Sequence, residues 1–426
     1  MTQQLARPPT SGTAEQPSLW RNRNFMLLWS GQTVSELGTR ISGIAVPLLA
    51  ANDLRASVFQ ISLLTTLAWL PYLFFSLPAG VLADRVDQRR MMIVCDLGRM
   101  ALMLSLPVVA LLGGLTLGYL YAVVGFSGAL TVLFTVAYRS RLPGLVPAGQ
   151  LVDANGKLGM SQEFAELVGV SLGGGLIALV GAARTFVGTA LAFLVSAVTL
   201  ALLRPGPAGR RGAGRTEDPV PLRVALTGGL GFIRRQRILL GILACTTTSN
   251  FFVMASGSIE ITFMVRELHA TPVLVGLVYA GSALGGLVAG ATARRLSGRI
   301  GSARIIWVAM AAPGPLYLLL PLARPGWGLL LYGIGLAAFS ANTVLFNAAA
   351  MSYRQRVTPA GLLGRVNAAF LWVCYGVIPL GALFGGVLGS QLGLRPALWV
   401  CVLGTWSAAL FVVCSPLRRM RDMPVT

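Results

Sequence analysis

The sequence predicts an all-α polytopic membrane protein, with 12 transmembrane helices arranged as two pseudo-symmetric six-helix bundles. Three observations lead there: an apolar composition, a dozen apolar runs of similar length, and an internal repeat about half the chain long. Of 426 residues, 55% are hydrophobic and only 11% charged, whereas soluble domains run nearer a quarter charged. The mean hydropathy is +0.73. The apolar runs fall at 24–50, 58–82, 91–112, 117–138, 158–180, 185–203, 238–264, 272–293, 302–322, 327–350, 366–390 and 396–415. Each is close to the roughly 20 residues that carry a helix across about 30 Å of hydrocarbon. The first and seventh are the most interrupted by polar residues.

The repeat divides the chain. At an offset of 212, VPAGQLVDANGK (146–157) aligns with TPAGLLGRVNAA (358–369), and Gly169, Gly173, Gly174 and Gly181 meet Gly381, Gly385, Gly386 and Gly393. At 214, Thr33, Ser35, Ser42 and Gly43 meet Thr247, Ser249, Ser256 and Gly257. The expected organisation is a tail (1–20), a first bundle (21–203), a linker (204–237), a second bundle (238–416) and a short tail (417–426). The linker opens with the Pro, Gly and Arg-rich RPGPAGRRGAGRTEDPVP, and its end, 222–237, mixes apolar and basic residues as an interfacial helix does.

A net charge of +20 invites a nucleic-acid reading, but position argues otherwise. With both termini cytoplasmic, 26 of the 34 Lys and Arg residues fall on cytoplasmic flanks and loops; only Arg55, Arg184, Arg266, Arg324 and Arg395 fall outside. That asymmetry follows the positive-inside rule and requires an even number of crossings. The basic charge therefore orients the chain in a lipid bilayer, and no nucleic-acid partner is expected. Cys95, Cys245, Cys374, Cys401 and Cys414 all lie in apolar runs, so no disulfide framework is implied. The first 20 residues lack the apolar core of a signal peptide, and the first span is expected to direct insertion.

Two motifs carry a resemblance. LPAGVLADRVDQRRMMI (77–93) contains Gly80, an Asp84–Arg85 pair four residues on, and the basic pair Arg89 and Arg90. It resembles the signature loop of the major facilitator superfamily, with Asp87 where glycine is usual. Gly80 permits close helix approach, Asp84 suits a helix N-terminus, and Arg89 has Asp96 as an available partner. The resemblance implies that this cluster latches the outward-open state. The second-half copy, VAGATARRLSGR (288–299), has Arg294 where the acid belongs, so the latch should be asymmetric. ELVGVSLGGGL (166–176) resembles the glycine-rich motif of the drug and proton antiporters, with Val170 in place of a proline; Gly169, Gly173, Gly174, Gly385 and Gly386 are expected to pack helices. Wider wording such as SELGTRISGIAVPLL and LTTLAWLPYLFFSLPAG resembles the branch of enterobactin-exporter-like and macrolide-efflux-like proteins.

Charge inside the spans raises the functional question. Gln32, Glu36, Arg40, Gly43 and Pro47 follow at steps of three or four and share a stripe on the first span. A charge at mid-bilayer costs at least about 2.5–3.5 kcal/mol, so this stripe avoids lipid. Glu36 and Arg40 either neutralise each other as a structural pair, or Glu36 alternates between proton and substrate while Arg40 tunes it. Asn250 occupies the matching place in the second half. Glu163 and Glu166 lie one turn apart and should repel when both are ionised, which favours one holding a proton. Trp69, Asn342, Asn347, Trp372 and Tyr375, with Gln32 and Asn250, are the candidates to line an amphipathic substrate's cavity. Asp96 and Arg99 are assigned to the loop cluster, and Glu260 to a solvated outer position.

Enzyme chemistry finds no support. One histidine, His269, precludes a multi-histidine metal site, and GQLVDANGKL (149–158) has the wrong spacing for a phosphate loop and Leu after Lys157. The expectation is a monomeric secondary exporter of drug-like natural products or siderophores, needing no cofactor beyond a proton gradient. Uptake, lipid flipping and a non-transporting sensor or scaffold are the alternatives.

Overall fold

The computed structural model describes residues 19–146, 151–203, 222–301 and 303–422. The first half holds six long helices: α1 (Arg23–Leu48), α2 (Val58–Arg85), α3 (Gln88–Leu111), α4 (Leu117–Leu145), α5 (Leu151–Val180) and α6 (Ala182–Ala201). A connecting helix, α7 (Leu222–Arg235), lies where the interfacial segment was expected and packs on the second half, Gly229 lying against the Arg365 carbonyl. There follow α8 (Arg237–Arg266), α9 (Pro272–Ile300) and a ninth span broken into α10 (Arg304–Ala311), α11 (Gly314–Tyr317) and α12 (Leu319–Leu322). Pro313, Pro315 and Pro321 account for those breaks, because proline removes a helical donor and clashes with the preceding turn. The tenth span is α13 (Gly328–Val357); the eleventh is α14 (Ala360–Gly376) and α15 (Ile378–Gln391), with Pro379 starting the second piece; the twelfth is α16 (Leu394–Ser407) and α17 (Ala409–Val413).

Among the described residues, eleven spans are long and apolar enough to cross a membrane. The twelfth crossing is α1, 26 residues long, whose polar stripe lowers its apolarity and whose packing against α5 and α6 places it in the bundle. Several helices overrun the apolar runs at the end that carries the termini, where α2, α9 and α13 continue into arginine-rich turns.

The repeat is visible in backbone geometry. Arg55 and His269, related by the 214 offset, are the two non-glycine residues with positive φ among the described residues, at 48° and 53°. Each precedes a capped helix, Ser57 capping α2 and Thr271 capping α9. The amides of Ala56 and Ala270 bond to the carbonyls of Ala50 and Met264, again matched positions. Gly181 and Gly393 enter the last span of each half at φ 84° and 89°.

The hydrophobic core is forked. At the end remote from the termini one cluster includes residues of both halves, from Ile44 and Leu64 to Phe263 and Leu398. At the terminal end it divides into a first-half cluster around Phe25, Met92 and Tyr138 and a second-half cluster around Ile242, Ile306 and Phe370. Contacts between halves follow the same pattern. α5 packs on α9 and α15 on α2; Gly174 meets Pro272 and Gly276, Gly386 meets Ser62, Gly389 meets Val58, and Arg266 donates to the Ala56 carbonyl. The two halves thus close at the far end and leave a crevice toward the terminal end.

Candidate functional site

The crevice wall carries a charged triad. On α1, Gln32 Nε2 donates to Glu36 Oε1 at 2.9 Å, and Arg40 Nη2 lies 3.9 Å from Glu36 Oε2. Arg40 Nη1 forms its shorter ion pair with Glu166 of α5. The expected Glu36–Arg40 pair is therefore the looser half of a three-residue bridge between two helices. Gly169 makes it possible: a Cβ there would lie 2.9 Å from the Arg40 Cβ and 3.2 Å from the Leu37 carbonyl. The side chains of Arg40 and Glu166 keep 38% and 43% of their exposure, so water reaches the bridge. Tyr72 of α2 and Tyr138 of α4 stand within electrostatic reach of Glu36. The side chain of Glu163 lies outside the described residues.

An aromatic group spans the halves at mid-height. Trp69 and Tyr72 of α2 have ring centroids 5.2 Å apart, and Tyr375 of α14 stacks at 6.3 Å from Trp69 and 6.4 Å from Tyr72. The structure thus brings Trp69 and Tyr375 together and adds Tyr72, which was legible as the residue three on from Trp69 on the same helix face. Trp372 and Asn347 are exposed. Two further candidates are held within the second half. Asn342 is 2% exposed, beside Tyr317. Asn250 commits its amide to the Cys374 carbonyl at 3.2 Å, holding α8 to α14.

The loop cluster is also rearranged. Asp87 caps α3, accepting from the Arg89 amide at 2.9 Å, which gives the departure from glycine a structural role. Arg89 does not pair with Asp96; its Nε donates to the Leu200 carbonyl at 2.9 Å and its Nη2 to that of Ala201, capping the end of α6. Arg90 is exposed, 3.9 Å from Asp87. The side chains of Asp84 and Arg85, like the surroundings of Gly80, lie outside the described residues. Asp96 and Arg99 are no part of the loop: both are fully buried, paired with each other, and the guanidinium lies 4.5 Å from both the Phe134 and the Phe193 ring. Glu260, expected in solvent, is 8% exposed.

The glycines act in matched pairs. Gly169 and Gly173 receive α1 at Leu37 and Ile41, while Gly381 and Gly385 receive α8 at Phe251 and Ala255, which are the positions 214 further on. Gly174 meets α9 of the other half, and Gly386 meets α2. Neighbouring glycines on α5 and on α15 therefore set, respectively, the packing within a half and the closure between halves. No cluster of metal-ligating side chains occurs among the described residues.

Two related six-helix halves around a one-ended crevice, with ionisable groups on its wall, define a membrane transporter of the major facilitator type. The chain belongs to the transmembrane secretion effector family of that superfamily, matching it over residues 16–425. It is 30% identical to the uncharacterised MFS-type transporter YfiS of Bacillus subtilis, across 91% of this chain and 92% of that one. It is 28% identical to the multidrug efflux pump Tap of Mycobacterium tuberculosis, across 95% and 96%. A solved bacterial homologue of the human lysosomal transporter Spinster, in an inward-facing and unoccupied conformation, shares the fold with a TM-score of 0.72 at 15% identity, over 92% of this chain and 97% of that one. Fold and relatives are those of transporters, not enzymes.

Proposed function

We propose that the protein is a proton-driven exporter of amphipathic, drug-like compounds, working as a monomer in the plasma membrane with both termini cytoplasmic. The distribution of Lys and Arg supports that orientation, and in it the crevice opens to the cytoplasm, where an exporter loads. The observation that carries the reading is the water-accessible Glu36–Arg40–Glu166 bridge between α1 and α5. Three charges on two helices can be neutralised in more than one way. Arg40 balances one carboxylate at a time, so a proton on Glu36 frees Arg40 for Glu166, and loss of that proton restores competition between them. The aromatic group of Trp69, Tyr72 and Tyr375 supplies stacking surface for an apolar ring beside that charge. An efflux name on a relative similar over nearly its whole length favours the outward direction.

The test is accumulation of macrolides, other antibiotics and siderophores in inside-out vesicles under an inward proton gradient. The parent accumulates substrate and Glu36→Gln, folded and expressed to the same level, does not. A fully active Glu36→Gln protein removes Glu36 from coupling, and gradient-independent accumulation by the parent refutes proton drive.

A further inference from the structure

Glu260 is a buried intramembrane acid outside the triad that, unlike Asp96, has no cationic partner among the described residues. It lies on α8 six residues before Arg266, hence about 9 Å below the far end of that helix. It has no counterpart in the first half, where the matched position is Val46. Its side chain is enclosed by hydroxyls and apolar groups. The fully buried Tyr332 of α13 donates to Oε1 at 3.1 Å, and Tyr279 of α9 is a second hydrogen-bond partner. Beside it is a small cavity of about 50 Å3, lined also by Ser256, Tyr317, Phe339 and Thr405, large enough for a water.

No ion pair to Glu260 is present among the described residues. Of the three arginines at the far end of this bundle, Arg324 is exposed in the outer loop, Arg266 is committed to the Ala56 carbonyl, and Arg395 to Glu267 at 3.1 Å and to the carbonyls of Pro321 and Ala323. The facing titratable groups are Tyr279, Tyr332 and Tyr317, with Glu166 acting on Tyr279 from α5; α16 presents Thr405, which does not titrate. An ionised carboxylate enclosed by neutral neighbours is costly unless a proton or water compensates it. Parting of the halves at the far end, where α5 packs on α9, would widen the access of water to it.

We propose that Glu260 is a proton-binding site in the second half, occupied while the far end is closed and emptied when it opens. The step is simple protonation: an O–H bond forms on the free carboxylate oxygen, taking its proton from the water of the far side and returning it there. Because the closed arrangement is the one that favours the bound proton, acid on the far side stabilises closure and alkali favours opening. The site thus acts as a lock set by external pH, distinct from the triad on the crevice wall.

The experiment places spin labels at Leu112 and Trp327, exposed far-end positions on opposite halves, in a Cys414→Ser background reconstituted in liposomes. Distance distributions are recorded from about pH 6 to about pH 9, below the range in which tyrosine titrates. The parent moves from the short to the long separation as pH rises; Glu260→Gln, which copies the protonated acid, stays short throughout. Tyr332→Phe, lacking a donor to the ionised form, moves the transition to higher pH. The proposal is overturned by a parent insensitive to pH, by Glu260→Gln opening as the parent does, which would point to the exposed His269, or by an unshifted Tyr332→Phe transition. A transition reproduced by sodium at constant pH would also overturn it. None of these readouts requires substrate, so failure of the exporter reading leaves them intact.

Discussion

At the scale of single residues, two ion pairs in the first half have opposite expected roles. Arg40, Glu36 and Glu166 are partly exposed, and exposed pairs contribute only about 0.2–1 kcal/mol. Glu166→Gln should therefore barely lower the melting temperature while reducing gradient-driven transport severely, measured in the same vesicle preparation. Asp96 and Arg99 are buried and enclosed by Phe134 and Phe193. Asp96→Ala strands the arginine, at a cost of about 3–5 kcal/mol, and should collapse the yield of folded protein. Replacing both with leucine should restore much of it, because the paired change leaves no uncompensated charge; thermal unfolding in detergent checks this. Spacing alone favoured the opposite emphasis, since Glu36 and Arg40 at i and i+4 look self-sufficient until α5 brings Glu166 to them.

At the scale of elements, glycines decide how closely helices approach. Gly386 lies on Ser62 and Gly174 on Pro272, both at the far-end contact between halves. Leucine at either position should prop the far end open, read as increased reactivity toward an impermeant thiol reagent of a cysteine introduced for the buried far-end Ala56, with the fold of each half retained. Gly385 instead meets Ala255 and Ser258 within the second half, so the same change there should lower stability without opening the molecule. Gly181 and Gly393, at φ 84° and 89°, occupy backbone space closed to other residues, and alanine at each should cost about 1–3 kcal/mol. Matched melting-temperature losses at the two positions would follow from the repeat. These glycines were legible in the sequence as a recurring pattern. Their division into packing within a half and closure between halves was not, because that depends on which way each face of α5 and α15 is turned.

At the scale of the whole molecule, orientation and state are open to a direct check. Cys414, at the terminal end of the last span, is the only exposed cysteine among the five. An impermeant maleimide should label it in inside-out vesicles and not in right-side-out ones, and Cys414→Ser should abolish the signal; the reverse pattern would invert the assigned topology. The sequence by itself determined the class, the twelve crossings and the two related halves. A bilayer forces apolar runs of fixed length on any chain that spans it, and a duplicated unit leaves its periodicity in the residues. Tertiary structure alone decided that Arg40 bridges to Glu166, that Arg89 caps α6 while Asp96 turns inward to Arg99, that Glu260 is enclosed, and that the core forks toward the termini. Each of these depends on the rotation and approach of helices distant in the chain, which packing sets and local spacing does not.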